Sequence, residues 1–141
     1  ISSIGPLLSG ADVAFIVVSM GDEENARVAS FVGQVAKRAD VLSVGLAIIP
    51  PSCERERRLL ASHELAKMRQ SCHTLAIADS DRAPMAPAYA TKLYDSYSNR
   101  LVIDILAGLS ESLVCPSTRN IDLAAFRELM EHEKSSLRRP R

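Results

Sequence analysis

Three short polar runs hold the residues that could do chemistry. Met20-Gly21-Asp22-Glu23-Glu24 separates the apolar run VAFIVV from the amphipathic stretch NARVASFVGQVAK, Glu54-Arg55-Glu56-Arg57-Arg58 follows Pro50-Pro51, and Asp79-Ser80-Asp81-Arg82 follows the apolar run HTLAIA. Strand, tight turn and helix in that order is where open α/β proteins bind phosphate, because first-turn N–H groups and the helix dipole favour an anion. Such a cradle needs glycine, since only backbone without Cβ lets several N–H groups converge on one anion. The first turn keeps only Gly21.

Charge decides how that turn is read. A carboxylate about 5 Å from a phosphate charge costs roughly 3 kcal/mol at an effective dielectric near 20. Two such interactions, from among Asp22, Glu23 and Glu24, would cancel most of a micromolar affinity, which is worth about 8 kcal/mol. The same residues have a use that needs no ligand: Asp22 caps the following helix, Glu23 and Glu24 suit its positive end, and Glu23 lies four residues before Arg27. The self-capped helix is therefore favoured over a direct anion site. A carboxylate-held magnesium ion is a third option, with no further ligand spacing to accompany it. In the second run, Glu54 and Arg58 share one side of a helix at i,i+4 spacing next to a strand end, although a run this charged is more often a solvated face.

The elements that must position these runs follow from periodicity. Residues 13–18, 41–49 (VLSVGLAII) and 73–78 are apolar without alternation, as expected of strands buried on both faces. Pro50-Pro51 stops the second, because proline removes ladder donors. A helix over 23–38 carries Val28, Val32, Val35 and Ala36 as its stripe with Phe31 beside it, and a helix over 54–72 carries Ala61, Leu65, Met68 and Cys72. Residues 1–10, with Gly5-Pro6 and Gly10, fit the tail of a short helix or a connection. All three polar runs then lie at strand C-termini, which form the ligand-binding rim of an open parallel sheet. A long periodic stretch over about 88–113, with Tyr89, Leu93, Tyr97, Val102, Leu106, Leu109 and Leu113 on related faces, predicts a helix roughly 39 Å long, enough to link two domains. Cys115-Pro116 ends it, and a last helix capped by Asp122 turns Leu123, Phe126 and Met130 inward.

Composition narrows the function classes. A chain of 141 residues, 47% hydrophobic and 24% charged, is an ordinary single globular domain. Seventeen basic and seventeen acidic residues cancel, and six aromatic residues show no interleaving with basic ones, so neither nucleic acid nor an anionic membrane is the expected partner. The basic cluster at 137–141 reads as a solvated end. Cys53, Cys72 and Cys115 have no C-x-x-C spacing, as expected of thiols in a reducing compartment. His63, His73 and His132 are equally scattered, and Cys72-His73 reads as core packing rather than a metal site. No apolar run is long enough to span a bilayer and no signal-peptide pattern is present, so the expected location is the cytoplasm. The chain begins with Ile1 rather than Met, as expected of a fragment whose upstream part could hold half of a site.

Several of these residues, in order and spacing, resemble the FtsZ/tubulin superfamily of filament-forming GTPases. Gly10-Ala11-Asp12-Val13 with Phe15-Ile16, then Met20-Gly21, looks like the FtsZ strand G-A-D-M-V-F-I leading to A-G-M-G; Ala36-Lys37, Ser43-Val44-Gly45 and Pro51 also agree. Gly108-Leu109-Ser110, Pro116, Asn120 and Asp122 are similar to the pattern G-I-S, P and N-x-D at unchanged spacing. The resemblance runs over about residues 10–130. It implies an open parallel, Rossmann-like α/β sheet with flanking helices and a long central helix. Residues 1–115 would be the second half of the nucleotide-binding domain with the long helix at about 88–114, residues 116–134 the following loop and helix, and 135–141 a basic tail.

By the same resemblance the nucleotide-binding positions are Gly21, Glu54, Arg58, Asp81 and Asn99, the catalytic positions are Asn120 and Asp122, and the family's ligands are GTP and magnesium. The departures are specific. The signature G-G-G-T-G-T-G falls on Gly21, Asp22, Glu23, Glu24, Asn25, Ala26 and Arg27; Ser80 replaces Asn in the N-D-R turn; the stacking Phe falls on Asp95, with Tyr94 and Tyr97 as neighbours; and the second acid of N-x-D-x-x-D falls on Ala125. Glu54 and Arg58 align only with a one-residue gap, and the F-x-F-E-G that accompanies them in the family is absent. Two functions follow. One is a divergent FtsZ-like cell-division or cytoskeletal protein with weakened or lost GTP binding, acting through assembly with itself as a homo-oligomer or with FtsZ-type filament subunits. The alternative is an active GTP-binding, GTP-hydrolysing filament former. A generic α/β small-molecule binder shares only the rim.

Overall fold

The computed structural model describes residues 4–82, 91–114, 124–125 and 127–128. Chain order is α1 (Ile4–Leu8), β1 (Val13–Ser19), α2 (Glu23–Arg38), β2 (Leu42–Ile49), α3 (Arg55–Ser71), β3 (Thr74–Asp79), a 3-10 turn (Ser80–Arg82) and α4 (Thr91–Val114). The three strands form one parallel sheet in the order β1-β2-β3, with Val13 opposite Leu42 and Val44 opposite Thr74. Parallel pairing leaves all three strand C-termini on one edge, so the expected rim forms.

Alternation along each strand sorts side chains between two helical layers. Ile16, Val18 and Met20, with Ala47 of β2, pack with Ala26 and Ala29 of α2 and Ala61, Met68 and Cys72 at α3. On the opposite face Leu46 and Ala78 pack with Val102 of α4, flanked by Phe15, Leu106 and Ile105, while Leu42 and Val44 meet Leu109. The 24 residues of α4 span about 36 Å at 1.5 Å each, close to the expected length. Cys72 lies in the core at the junction of α3 and β3, as the sequence predicts, and the adjacent His73 ring nitrogen Nδ1 lies 2.9 Å from the Ser43 hydroxyl.

Two expectations about burial are corrected. The buried face of α2 is Ala26, Ala29, Gly33 and Ala36; of the expected stripe Ala36 is buried and Val32 packs half-buried against the core, whereas Val28 is 52% exposed. The reason is distance between backbones: a Cβ on Gly33 would stand 2.9 Å from the Ser71 carbonyl oxygen, so α2 and α3 approach too closely for larger side chains. Nor are β1 and β3 buried on both faces, for Val17 is 47% and Ile77 38% exposed. Both are outer strands of the described sheet, and only β2, between them, reads as the continuous buried run expected of all three.

Candidate functional site at the strand-end rim

Each strand delivers its polar turn to the rim by ending where its apolar run ends. After β1, Met20 is fully buried and donates its N–H to the Ile48 carbonyl at 2.8 Å, which keeps the chain in register with β2 one residue past the strand. Gly21 then turns with φ +87°, in the left-handed region that favours glycine. A Cβ there would also lie 2.8 Å from the Arg57 carbonyl oxygen. Asp22 is the N-cap, and its Oδ1 accepts from the backbone N–H groups of Glu24 at 3.0 Å and Asn25 at 3.3 Å. The self-capped helix is thus the observed state of this turn. Glu23 and Arg27, four apart as expected for a pair, form no ion pair among the described residues.

The Gly21 N–H points at α3. It donates to Oε2 of Glu64 at 2.7 Å, a short charge-assisted geometry, and Glu64 is only 3% exposed. Its other oxygen, Oε1, is buried with no hydrogen-bond partner. From the first turn of the same helix, Arg57 reaches the Met20 carbonyl at 3.4 Å and forms an ion pair with Glu54. Two levels of α3 therefore brace the Met20-Gly21 turn.

At the other end of the rim, Arg58 gathers the second and third turns. Its Nη1 and Nη2 donate to Oδ1 and Oδ2 of Asp79 at 3.0 Å each, a bidentate fork. Nη1 also lies 3.0 Å from Asp81 Oδ2 and donates to the Pro50 carbonyl at 2.7 Å. Asp81 Oδ1 in turn accepts from the Ser52 N–H at 2.8 Å, and Asp79 Oδ1 from the Asp81 N–H at 3.1 Å. Hydrogen bonding from Arg58 holds the Asp79 carboxyl below the usual carboxylate range, against a smaller opposing effect of burial. The Asp79 hydrogen bond likewise raises Arg58 above its ordinary value. A buried contact of 3.0 Å between the Ser80 and Ser98 hydroxyls ties the third turn to α4.

Of the site residues expected from sequence, the structure brings Arg58 and Asp81 into direct contact and places Gly21 and Glu54 on either side of Arg57. Glu54 and Arg58, expected on one side of the helix, take different partners: Glu54 pairs with Arg57, and Arg58 with two aspartates. Asn99 is exposed on α4, next to the Ser98 that meets the rim. Asn120, Asp122, Cys115, Pro116, Tyr89, the cap and stripe of the last helix and the basic tail lie outside the described residues, as do the side chains of Leu93, Tyr94, Asp95 and Leu113; Ala125 is exposed and helical. Sequence reading missed Glu64 and the role of Asp79. For Glu64 a signal existed, because it stands three residues after Ala61 and four before Met68, within the buried stripe.

What the rim offers an anion is limited. The Gly21 amide and the Arg58 guanidinium are both engaged by carboxylates of the chain itself, and Asp22, Glu23 and Glu24 are exposed around the first turn. Among the described residues no group of three or more His, Cys, Asp or Glu side chains is arranged to hold a metal ion. A groove of about 780 Å³ runs along the seam between α2 and α3, lined by Glu23 and Glu64 at the first turn and by Phe31, Lys37 and Lys67 farther along. No described helix is long and apolar enough to cross a membrane.

Comparison with known proteins agrees with the fold. No protein-family model matches the chain. Among curated proteins, cell division protein FtsZ 2 of Methanocaldococcus jannaschii is 28% identical over 124 residues, covering 87% of this chain and 33% of that protein. FtsZ 2 of Halobacterium salinarum is 26% identical over 135 residues, covering 91% and 33%. The chain thus spans about a third of the length of the curated relatives it matches. Among solved structures, an empty FtsZ dimer of M. jannaschii superposes with a TM-score of 0.81 at 22% identity, over 92% of this chain and 38% of that one. CetZ of Methanosaeta thermophila does so with 0.71 at 20% identity, over 87% and 35%. In sequence and in fold, across nearly its whole length, the chain is related to the FtsZ/tubulin superfamily.

Proposed function

We propose that this chain is part of a divergent FtsZ-like cell-division or cytoskeletal protein in which GTP binding is weakened or lost, and which acts through association with itself or with FtsZ-type filament subunits. The observation that carries this reading is Arg58. By resemblance it is the cation that approaches the nucleotide, and here both faces of its fork are taken by Asp79, with Asp81 and the Pro50 carbonyl alongside. A phosphate would have to displace two carboxylates to reach it and would remain close to them afterwards, at roughly 3 kcal/mol for each carboxylate within about 5 Å. Asp22, Glu23 and Glu24 add the same penalty at the first turn. The loop carrying Asn120 and Asp122 would serve association whether or not it still orients a water, since Ala125 supplies no second carboxylate for positioning one.

The retained rim, with three turns at the C-termini of parallel strands, favours the second reading, an active GTP-binding and GTP-hydrolysing homologue. Thermal denaturation of the protein with and without millimolar GTP and magnesium separates the two. The proposed function requires an unchanged Tm together with concentration-dependent association in the absence of nucleotide, measured by sedimentation. A saturable rise in Tm with GTP overturns it in favour of the second reading, because a ligand that binds only the folded state stabilises it by mass action.

A further inference from the structure

We propose that Glu64 is a built-in substitute for a bound anion: its carboxylate fills the seat at the head of α2 and holds the β1–α2 turn permanently in a filled conformation. The inference rests on the nucleotide-independent reading above and names the group that takes the ligand's place. A strand–turn–helix seat binds an anion with turn N–H groups aimed at it and the helix dipole behind it. Here the Gly21 N–H, one residue before the N-cap of α2, ends 2.7 Å from a carboxylate oxygen supplied by a different helix forty-three residues along the chain. That carboxylate is almost wholly buried and its second oxygen meets no donor.

An arrangement meant only to satisfy one amide would use a neutral acceptor. Burying a carboxylate with half its hydrogen-bonding capacity empty is costly unless its charge is used, and the charge at hand is the N–H dipole of the turn and the helix end behind it. The walls of the seat agree. Arg57 closes the turn on the Cα side of Gly21, with its backbone oxygen within 2.8 Å of where a Cβ there would be. The turn would then need no nucleotide to keep the shape it has.

Chemical rescue tests this. Glu64→Ala empties the seat of the carboxylate and leaves a space about the size of acetate, whereas Glu64→Gln keeps it filled by a neutral group. The expected result is a fall in Tm of about 5–10 °C for Glu64→Ala, with formate or acetate at about 100 mM restoring a large part of it. Chloride at equal ionic strength restores none, and the carboxylates have no comparable effect on the wild-type chain or on Glu64→Gln. Equal rescue by chloride, no rescue by either carboxylate, or equal rescue of Glu64→Gln overturns the proposal. Should Glu64→Ala not fold, the Gly21 amide proton decides: a charge-assisted bond requires its NMR resonance to move upfield in Glu64→Gln, and an unmoved resonance overturns the assignment. Neither readout involves nucleotide. A wild-type chain that binds GTP while Glu64→Ala is rescued by formate would remove the functional reading and leave Glu64 as the resident anion of the turn.

Discussion

The two ends of the rim solve one problem with opposite materials. At the β1 end a backbone N–H is engaged by a single carboxylate, Glu64, buried to 3% exposure and bonded through one oxygen. At the β3 end a side-chain cation, Arg58, is engaged by Asp79 and Asp81, each about a quarter to a third exposed and reachable by water. The first contact depends on the backbone shape of Gly21 and on a helix packed against it. The second is made by side-chain charges in partial contact with water. Geometry therefore governs one end and screened charge the other, and the two should respond to different perturbations.

The largest expected effect lies at the geometric end. Gly21→Ala puts a Cβ 2.8 Å from the Arg57 carbonyl at φ +87°, so a strained backbone and a clash with helix backbone coincide. About 1 kcal/mol for the φ and about 2 for overpacking give a loss near 3 kcal/mol, readable as a lower urea midpoint. The loss should be insensitive to salt and to pH. If Gly21→Ala instead costs less than a change in the Arg58 cluster, the contrast between the two ends is wrong.

At the charged end the expected effect is smaller and depends on pH. Because Arg58 depresses the Asp79 carboxyl in the folded chain, the stability it contributes is complete above the unfolded carboxylate value, near 4, and is lost as pH falls through the lower folded value. Asp79→Asn should therefore cost about 1 kcal/mol at neutral pH, discounted for its partial exposure, and should converge on the wild type in strong acid. Urea midpoints for both proteins between neutral pH and pH 2 measure it. A gap that stays constant with pH would show that Asp79 acts through shape, as Gly21 does.

How much of this was legible beforehand divides along the same line. Strand positions and the rim followed from apolar runs ending in polar turns, and Asp22 as a cap followed from residue type and place alone. The buried face of α2 followed only in part, at Ala36 and Val32. Hydrophobicity ranks Val28 above Ala29 and Gly33, yet the close approach of α3 at Ser71 and Cys72 admits only the small residues, and that distance is set by the other helix. Glu64 was hidden for a related reason: its type says surface and its spacing says core, and only the turn it meets, forty-three residues away, decides for core. The ionic partner of Arg58 was not legible either: the i,i+4 spacing that puts Glu54 and Arg58 on one side is visible in one dimension, whereas Asp79 is brought alongside by β3.

The smallest expected effect on stability bears most directly on what the first turn is for. Glu23 and Glu24 are exposed, form no ion pair among the described residues and stand in the first turn of α2, where a carboxylate is worth about 0.3–1 kcal/mol through the helix dipole. With each exposed side chain at the low end of that range, Glu23→Gln with Glu24→Gln should lower stability by about 0.6 kcal/mol, and by less again in salt. If these residues only serve the helix, the double variant remains silent to inorganic pyrophosphate in a Tm titration, because the Gly21 amide is still held by Glu64 and Arg58 by its aspartates. If they alone keep anions away, the same variant gains a saturable response. The first outcome makes the internal contacts at both ends of the rim the barrier, and the second reduces them to bracing behind an electrostatic screen.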